Sequence, residues 1–106
     1  MEKRTQEIIA ELRRELARLY GRRLVRLVLF GSRARGDNRP DSDIDVLVVL
    51  NGAVDAGAEI RRTSGIVGGL SLKHDVVISR KFADDESYRA RNEPLLRNIW
   101  REGITL

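Results

Sequence analysis

Residues 24–50 read LVRLVLFGSRARGDNRPDSDIDVLVVL, and this stretch decides the fold. Its two ends, 24–30 and 44–50, are short, apolar and rich in β-branched residues, which is typical of buried strands. The segment between them, from Gly31 to Ser42, is rich in Gly, Asp, Asn, Pro and Ser. This composition predicts a turn, a brief helical stretch and a loop that together join the two strands.

The flanking segments predict helices and one further strand. Apolar residues within 5–20 recur at helical spacing, and residues 54–70 predict a looser helix. Residues 73–79, KHDVVIS, are expected to form a third strand, and Pro94 is expected to open the last helix. Helices that alternate with strands indicate a mixed α/β (α+β) fold, with a small mixed β-sheet of three or more strands covered by helices.

Composition limits the classes of protein to which the chain can belong. With 106 residues, 42% of them hydrophobic, a single domain over 1–106 with a modest core is expected. No apolar run approaches the roughly 20 residues that a membrane span needs. The lack of cysteine excludes disulfides, thiolate zinc sites and cysteine nucleophiles. These features together predict a cytoplasmic protein.

The net charge of +4 comes mainly from arginine, whose planar side chain can donate two parallel hydrogen bonds to a phosphate. The arginines are spread along the chain and interleaved with acidic residues, with few aromatic residues among them. A dedicated nucleic-acid groove is therefore not expected. Nucleic-acid binding is kept as a further alternative, which the dependence of affinity on salt concentration would test.

The sequence FGSRARG at 30–36 follows directly after the first predicted strand. Glycine at position 31 lets the backbone approach a ligand closely, and N–H groups at the start of a helix attract anions. Ser32 could donate a hydrogen bond to a phosphate, and Arg33 or Arg35 could add a charged contact. Many such turns carry no ligand, and this one lacks the lysine of a Walker A loop, so the turn alone identifies no site.

Asp43 and Asp45 form a pair of carboxylates at the start of the second strand. Residues i and i+2 of a strand face the same way, so the two side chains project side by side. Two carboxylates this close repel each other, and a divalent cation such as Mg²⁺, which prefers carboxylate and phosphate oxygens, relieves the repulsion. The alternative is a solvated strand end, where aspartate is a common turn residue.

Asp75 is a third acid within an apolar segment. If the third strand lies beside the second, Asp75 can complete a cluster that binds two metal ions about 3.5–4 Å apart. It could also take the proton from an attacking hydroxyl group. The remaining alternative is that Asp75 simply ends a strand at the surface.

The stretch GSRARGDNRPDSDIDVLVVL resembles the minimal nucleotidyltransferases of the polymerase-beta-type nucleotidyltransferase superfamily. It matches their pattern Gly-Ser-x-Ala-Arg-Gly, a short spacer and Ser-Asp-x-Asp at every defining position. The resemblance implies a nucleotidyltransferase fold in which Gly31 and Ser32 hold the triphosphate of ATP. It also implies that Asp43 and Asp45 bind two Mg²⁺ ions, and that Asp75 joins one ion and assists deprotonation.

The resemblance also implies an activity and a partner. Minimal members are often encoded with an all-helical HEPN-domain protein, and some, the MntA-like antitoxins, transfer AMP onto a tyrosine of that partner. Since the sequence carries no acceptor domain, a partner or a second copy in a homo-oligomer is expected to supply the acceptor. The alternative is a non-catalytic nucleotide-binding module that neutralises a partner protein by direct binding.

Overall fold

The computed structural model describes residues 1–106 and contains five α-helices and four strands. In chain order they are α1 (Lys3–Tyr20), β1 (Leu24–Phe30), α2 (Ser32–Arg35), β2 (Ile44–Leu50), α3 (Ala56–His74), β3 (Ile78–Asp84), α4 (Asp85–Ala90), α5 (Pro94–Glu102) and β4 (Ile104–Thr105). The first two predicted strands are confirmed with the same bounds, and Pro94 opens α5 as predicted. None of the helices is long and apolar enough to cross a membrane.

The four strands form one mixed sheet in the order β3-β2-β1-β4. β2 runs antiparallel to β1 and parallel to β3. A parallel neighbour needs a crossover connection, and α3 provides it. The mixed α/β architecture with a small sheet covered by helices is therefore confirmed.

β2 separates two apolar layers because its successive side chains point to opposite faces of the sheet. One layer packs the sheet against α1 and α3, and its buried residues include Leu12, Leu16, Val46, Val48 and Val67. The other layer packs the sheet against α4 and α5, and includes Leu47, Val49, Tyr88, Leu96 and Ile99. Asp45 shares the face of Leu47 and Val49, so it lies on the second side of the sheet.

The third strand differs from the prediction. The sequence predicts a strand over 73–79, whereas α3 continues to His74 and β3 spans Ile78–Asp84. The ion pair from Lys73 and the hydrogen bond of His74 to Glu11 of α1, at 2.8 Å and 2.9 Å, join the last turn of the helix to α1. Periodicity alone does not distinguish the end of a helix from the start of a strand in so short an apolar segment.

Candidate functional site

Gly31 and Asp45 are direct neighbours. β1 and β2 pair so that Phe30 lies opposite Asp45, and the chain leaves β1 at Gly31 with φ 76° and ψ −158°. A Cβ atom on residue 31 would lie 2.5 Å from Oδ2 of Asp45. Glycine alone provides both this backbone conformation and the space that the carboxylate occupies. The Gly-Ser turn is therefore in close contact with one of the predicted metal ligands.

α2 begins at Ser32, and the N–H groups at the start of a helix have no partner inside it. Ser32 is half-buried, whereas Arg35 in the same short helix is exposed. Arg35 pairs with Asp37 at 3.3 Å and with Glu102 of α5 at 3.6 Å. Burial raises the pKa of Asp45, and the positive charge of Arg35 partly opposes this rise, so the turn brings a cation to the predicted site.

Asp43 directly precedes β2, and Asp45 is the second residue of that strand. Asp43 is exposed, and Asp45 is half-buried. Burial, and then the negative charge of Asp43, raise the pKa of Asp45, and no hydrogen bond offsets this effect. A pair of neighbouring carboxylates matches the ligands of Mg²⁺, which usually takes one or two carboxylates together with substrate phosphates. The donor set therefore fits the predicted magnesium ion.

Lys81 is a site residue that sequence reasoning missed. In the parallel pairing it lies opposite Leu47, two residues beyond Ser79, which lies opposite Asp45. The alternation of a strand therefore places Lys81 on the same face as Asp45. The positive charge of the exposed Lys81 partly opposes the rise that burial and Asp43 cause in the pKa of Asp45. The alternation could have identified it, but only if β3 had been predicted to extend beyond residue 79.

The Arg33 side chain does not make the predicted phosphate contact available, because its guanidinium group binds other residues of the protein. Its Nε and Nη2 atoms donate to the carbonyl oxygen of Ser42 at 3.1 Å and 2.6 Å, and Nη2 also donates to that of Pro40 at 3.3 Å. Nη1 donates to the Thr5 hydroxyl at 3.0 Å and to the Glu2 carboxylate. All five N–H groups of a guanidinium are used in this way. Contrary to the predicted phosphate contact, Arg33 therefore has no donor left for a nucleotide in this structure.

Asp75 lies outside β3 and is the C-cap residue that directly follows α3, with φ 50°. Ile44 pairs with Ile78, so Asp43 and Asp75 precede neighbouring parallel strands and lie at the same end of the sheet. No group of three or more His, Cys, Asp or Glu residues is placed where it could hold a metal ion. The structure thus brings Asp43, Asp45 and Gly31 together, while a ligand role for Asp75 stays a prediction.

Comparison with known proteins identifies the family to which the chain is similar. Residues 9–102 match the family model described as a nucleotidyltransferase domain. A protein of Methanocaldococcus jannaschii, named as a putative protein adenylyltransferase, is 35% identical over 102 residues, which are 95% of this chain and 96% of that protein.

Two solved toxin–antitoxin structures share the fold. One, crystallised with AMP-PNP, has a TM-score of 0.62 and 22% identity, and the match covers 94% of this chain and 70% of that one. The other, a mutant of the toxin–antitoxin MntA-HpeT, has a TM-score of 0.59 and 19% identity, over 95% of this chain and 70% of that one. The resemblance to nucleotidyltransferases, first seen in the motif, therefore extends to the whole fold.

Proposed function

Because the chain belongs to the nucleotidyltransferase domain family and is a nucleotidyltransferase, we propose that it transfers AMP from ATP onto a hydroxyl group of a protein. The observation that carries this proposal is the Asp43 and Asp45 pair beside Gly31. The raised pKa of Asp45 and the absence of a hydrogen bond to its carboxylate leave the pair suited to a divalent cation. The relative named as a protein adenylyltransferase supports a protein as the acceptor.

In the proposed reaction, the acceptor oxygen attacks the α-phosphorus of ATP and forms a new P–O bond. The bond from that phosphorus to the bridging oxygen breaks, and pyrophosphate leaves with the electron pair. Asp43 and Asp45 would hold two Mg²⁺ ions, which when bound neutralise charge on the phosphate oxygens. Asp75 is proposed to join one ion and to help remove the proton of the hydroxyl group.

The other site residues position the nucleotide. Gly31 lets the main chain approach the triphosphate closely, and Ser32 is proposed to donate a hydrogen bond to it. Arg35 and Lys81 place positive charge beside Asp45, where phosphate oxygens of a metal-bound nucleotide would lie. Electrostatic stabilisation of this kind is the main catalytic contribution of a protein to phosphoryl-type transfer.

We propose a tyrosine of a HEPN-type toxin as the acceptor, which would make the chain an antitoxin. The toxin–antitoxin neighbours support a toxin partner, and the neighbour crystallised with AMP-PNP supports an adenine nucleotide.

The test is labelling of the partner with ATP that carries the label on its α-phosphate. The partner is co-purified from the native host and identified by intact mass. Wild-type protein is expected to label it, and Asp43→Asn and Asp45→Asn are each expected to lose labelling while remaining folded. Asp41→Asn, an exposed acid of the same loop, serves as the matched control. Full labelling by either site variant would reject the proposal.

A second candidate, neutralisation of the partner by binding alone, is favoured by the position of Asp75 outside β3 and the lack of a three-acid cluster. A variant with Asp43, Asp45 and Asp75 all changed to Asn separates the two candidates. If this variant still suppresses the activity of the partner at equal stoichiometry, binding is sufficient. If suppression requires the intact acids and ATP, transfer is the function.

A further inference from the structure

We propose that Arg33 is a positioning residue for the metal-binding end of β2, and that it acts through the backbone directly before Asp43. This inference rests on the proposed function, because it concerns the same magnesium site. In the pattern Gly-Ser-x-Ala-Arg-Gly, Arg33 occupies the variable position. Its role therefore comes from its contacts in this structure.

The carbonyl group of Ser42 is the point at which Arg33 holds the backbone. It accepts hydrogen bonds from both Nε and Nη2 of Arg33, at 3.1 Å and 2.6 Å. This carbonyl belongs to the peptide bond between Ser42 and Asp43, and a peptide unit is planar. Fixing its oxygen therefore fixes the plane from which Asp43 begins.

The turn that precedes Asp43 is closed by its own hydrogen bonds. The N–H of Ser42 donates to the carbonyl of Arg39 at 3.0 Å, and the Ser42 hydroxyl accepts from the N–H of Arg39 at 2.8 Å. These bonds close residues 39–42 into one unit. Arg33 joins this unit to the rest of the domain through Ser42 and through the carbonyl of Pro40, at 3.3 Å. The loop therefore has a defined position although most of it is exposed.

The first turn of α1 anchors Arg33 on its other side. The Arg33 side chain is only 1% exposed and forms an ion pair with Glu2, and it donates to the buried Thr5 at 3.0 Å. Glu2 also accepts from the Asn38 amide at 3.3 Å, so it contacts the same loop. A buried cation needs a complete set of partners, and the start of α1 supplies those that the loop does not.

The same turn of α1 also reaches the segment that carries the third predicted acid. Arg4 donates to the carbonyl of His74, and lies 3.5 Å from that of Asp75. The start of α1 thus contacts both chain segments that precede the parallel strands β2 and β3. Of the two arginines that join α1 to these segments, Arg33 is buried and Arg4 is exposed. Only Arg33 contacts the backbone directly before Asp43.

A positioning role differs from a purely structural one in what a substitution changes. Asp43 is exposed at the end of the loop, so its orientation depends on the backbone that leads to it. Residues that orient a metal ligand typically contribute about 10–100-fold to metal affinity. Lysine keeps the positive charge near Glu2 but lacks the planar fork that reaches the carbonyl of Ser42.

The test compares Arg33→Lys with wild type. The measurements are the dissociation constant of Mg²⁺, by calorimetry in the presence of a saturating non-hydrolysable ATP analogue, and the melting temperature without metal. We expect Arg33→Lys to weaken Mg²⁺ binding by about 10-fold or more. Arg13→Lys, on the exposed surface of α1, is the matched control and is expected to leave Mg²⁺ binding unchanged.

The outcomes are distinguishable. Arg33→Lys with a lower melting temperature but an unchanged Mg²⁺ dissociation constant would make Arg33 purely structural and overturn the inference. Glu2→Gln keeps the Ser42 contacts of Arg33, so it is expected to lower the melting temperature with a smaller loss of Mg²⁺ affinity. A larger loss in Glu2→Gln than in Arg33→Lys would also overturn the inference. Wild-type protein that binds no Mg²⁺ with the analogue would instead reject the proposed function.

Discussion

The Oδ2 atom of Asp45 occupies the space that a side chain on Gly31 would need, 2.5 Å from the ideal Cβ position. Gly31→Ala therefore introduces a steric clash with a predicted metal ligand as well as strain at φ 76°. We expect a loss of about 2–3 kcal/mol in the free energy of unfolding, measured by denaturant titration. We also expect Mg²⁺-dependent nucleotide binding to disappear, because the Asp45 carboxylate must move.

Gly52 provides the control for this prediction. It has φ 85°, and no heavy atom lies within 4 Å of the position that a Cβ atom would take there, so Gly52→Ala adds strain without a clash. A loss of roughly 1 kcal/mol and unchanged nucleotide binding are expected. Equal effects of the two substitutions on nucleotide binding would mean that the contact between Gly31 and Asp45 does not determine the affinity for the nucleotide.

Asp45→Asn is expected to stabilise the metal-free protein at neutral pH. Burial and the charge of Asp43 raise the pKa of Asp45 in the folded state, so the ionised carboxylate disfavours folding above that pKa. The cost disappears as the pH falls through the raised pKa, and the advantage of the variant should disappear with it. Thermal melts over a pH series, with Asp41→Asn as the control, measure this difference.

Addition of Mg²⁺ and the ATP analogue should reverse the order of stability. Ligand that binds only the folded state raises the melting temperature of wild type, and Asp45→Asn should gain little because a metal ligand is missing. An Asp45→Asn protein that is less stable than wild type without metal, at every pH, would contradict this account of the carboxylate pair.

Lys81→Met is expected to weaken binding of the ATP analogue about 10-fold, since it removes a cation from the sheet face that carries Asp45. The pKa of Asp45 should rise further because Lys81 lowers it in wild type. Acidification should therefore abolish Mg²⁺-dependent binding at a higher pH in the variant. Calorimetric titrations over a pH series measure both effects.

Lys73→Met is the matched control for Lys81. Lys73 pairs with Glu11 at 2.8 Å, on the α1 and α3 side of the sheet. Its loss should leave nucleotide binding unchanged at every pH. If both lysine variants weaken binding equally, general charge and not the position of Lys81 determines affinity.

Tyr20→Phe is expected to destabilise the protein by about 1–2 kcal/mol at neutral pH. The Tyr20 hydroxyl donates to Oε1 of the buried Glu59 at 2.7 Å, and Glu59 also pairs with Arg23 at 3.0 Å. Burial, and then this bond and the charge of Glu59, raise the pKa of Tyr20. The contribution of the Tyr20 hydroxyl to the free energy of unfolding is therefore complete below the pKa of tyrosine in the unfolded chain, about 10. It is lost as the pH rises through the pKa of Tyr20 in the folded protein.

Tyr88→Phe is the control for Tyr20. The Tyr88 ring stacks on Trp100 with a centroid distance of 5.0 Å, and no hydrogen bond contributes to its raised pKa. Removal of its hydroxyl should cost less than removal of that of Tyr20. Denaturant titrations at neutral and alkaline pH compare the two variants.

The features that could be predicted from the sequence are those that local chemistry determines. The strands over 24–30 and 44–50 follow from β-branched apolar residues that flank turn-forming residues. The proximity of the Asp43 and Asp45 carboxylates, seen in the effect of the Asp43 charge on the pKa of Asp45, follows from their spacing of two residues. The unusual backbone conformation at Gly31 could also be predicted, since a position with positive φ next to a strand favours glycine.

The features that could not be predicted depend on contacts distant in sequence. Arg33 and Arg35 lie in the same turn, and contacts such as those of Arg33 with Glu2 and Thr5, 31 and 28 residues away, distinguish the buried residue from the exposed one. Likewise, Lys73 and His74 at the end of α3 contact Glu11, which lies 62 and 63 residues away in the sequence. The late start of β3 then hides Lys81 from an interpretation based on the sequence alone.

β2 and β3 run parallel, so both strands lead away from Asp43 and Asp75, which precede them. The far end of β2 is therefore a suitable place to attach a probe. β2 has seven residues, so its far end lies roughly 20 Å from Asp43 at about 3.3 Å per residue. Asn51 is exposed there, and the sequence contains no cysteine. A thiol introduced by Asn51→Cys would be unique, so a fluorophore could report partner association by anisotropy while the reacting groups stay unmodified.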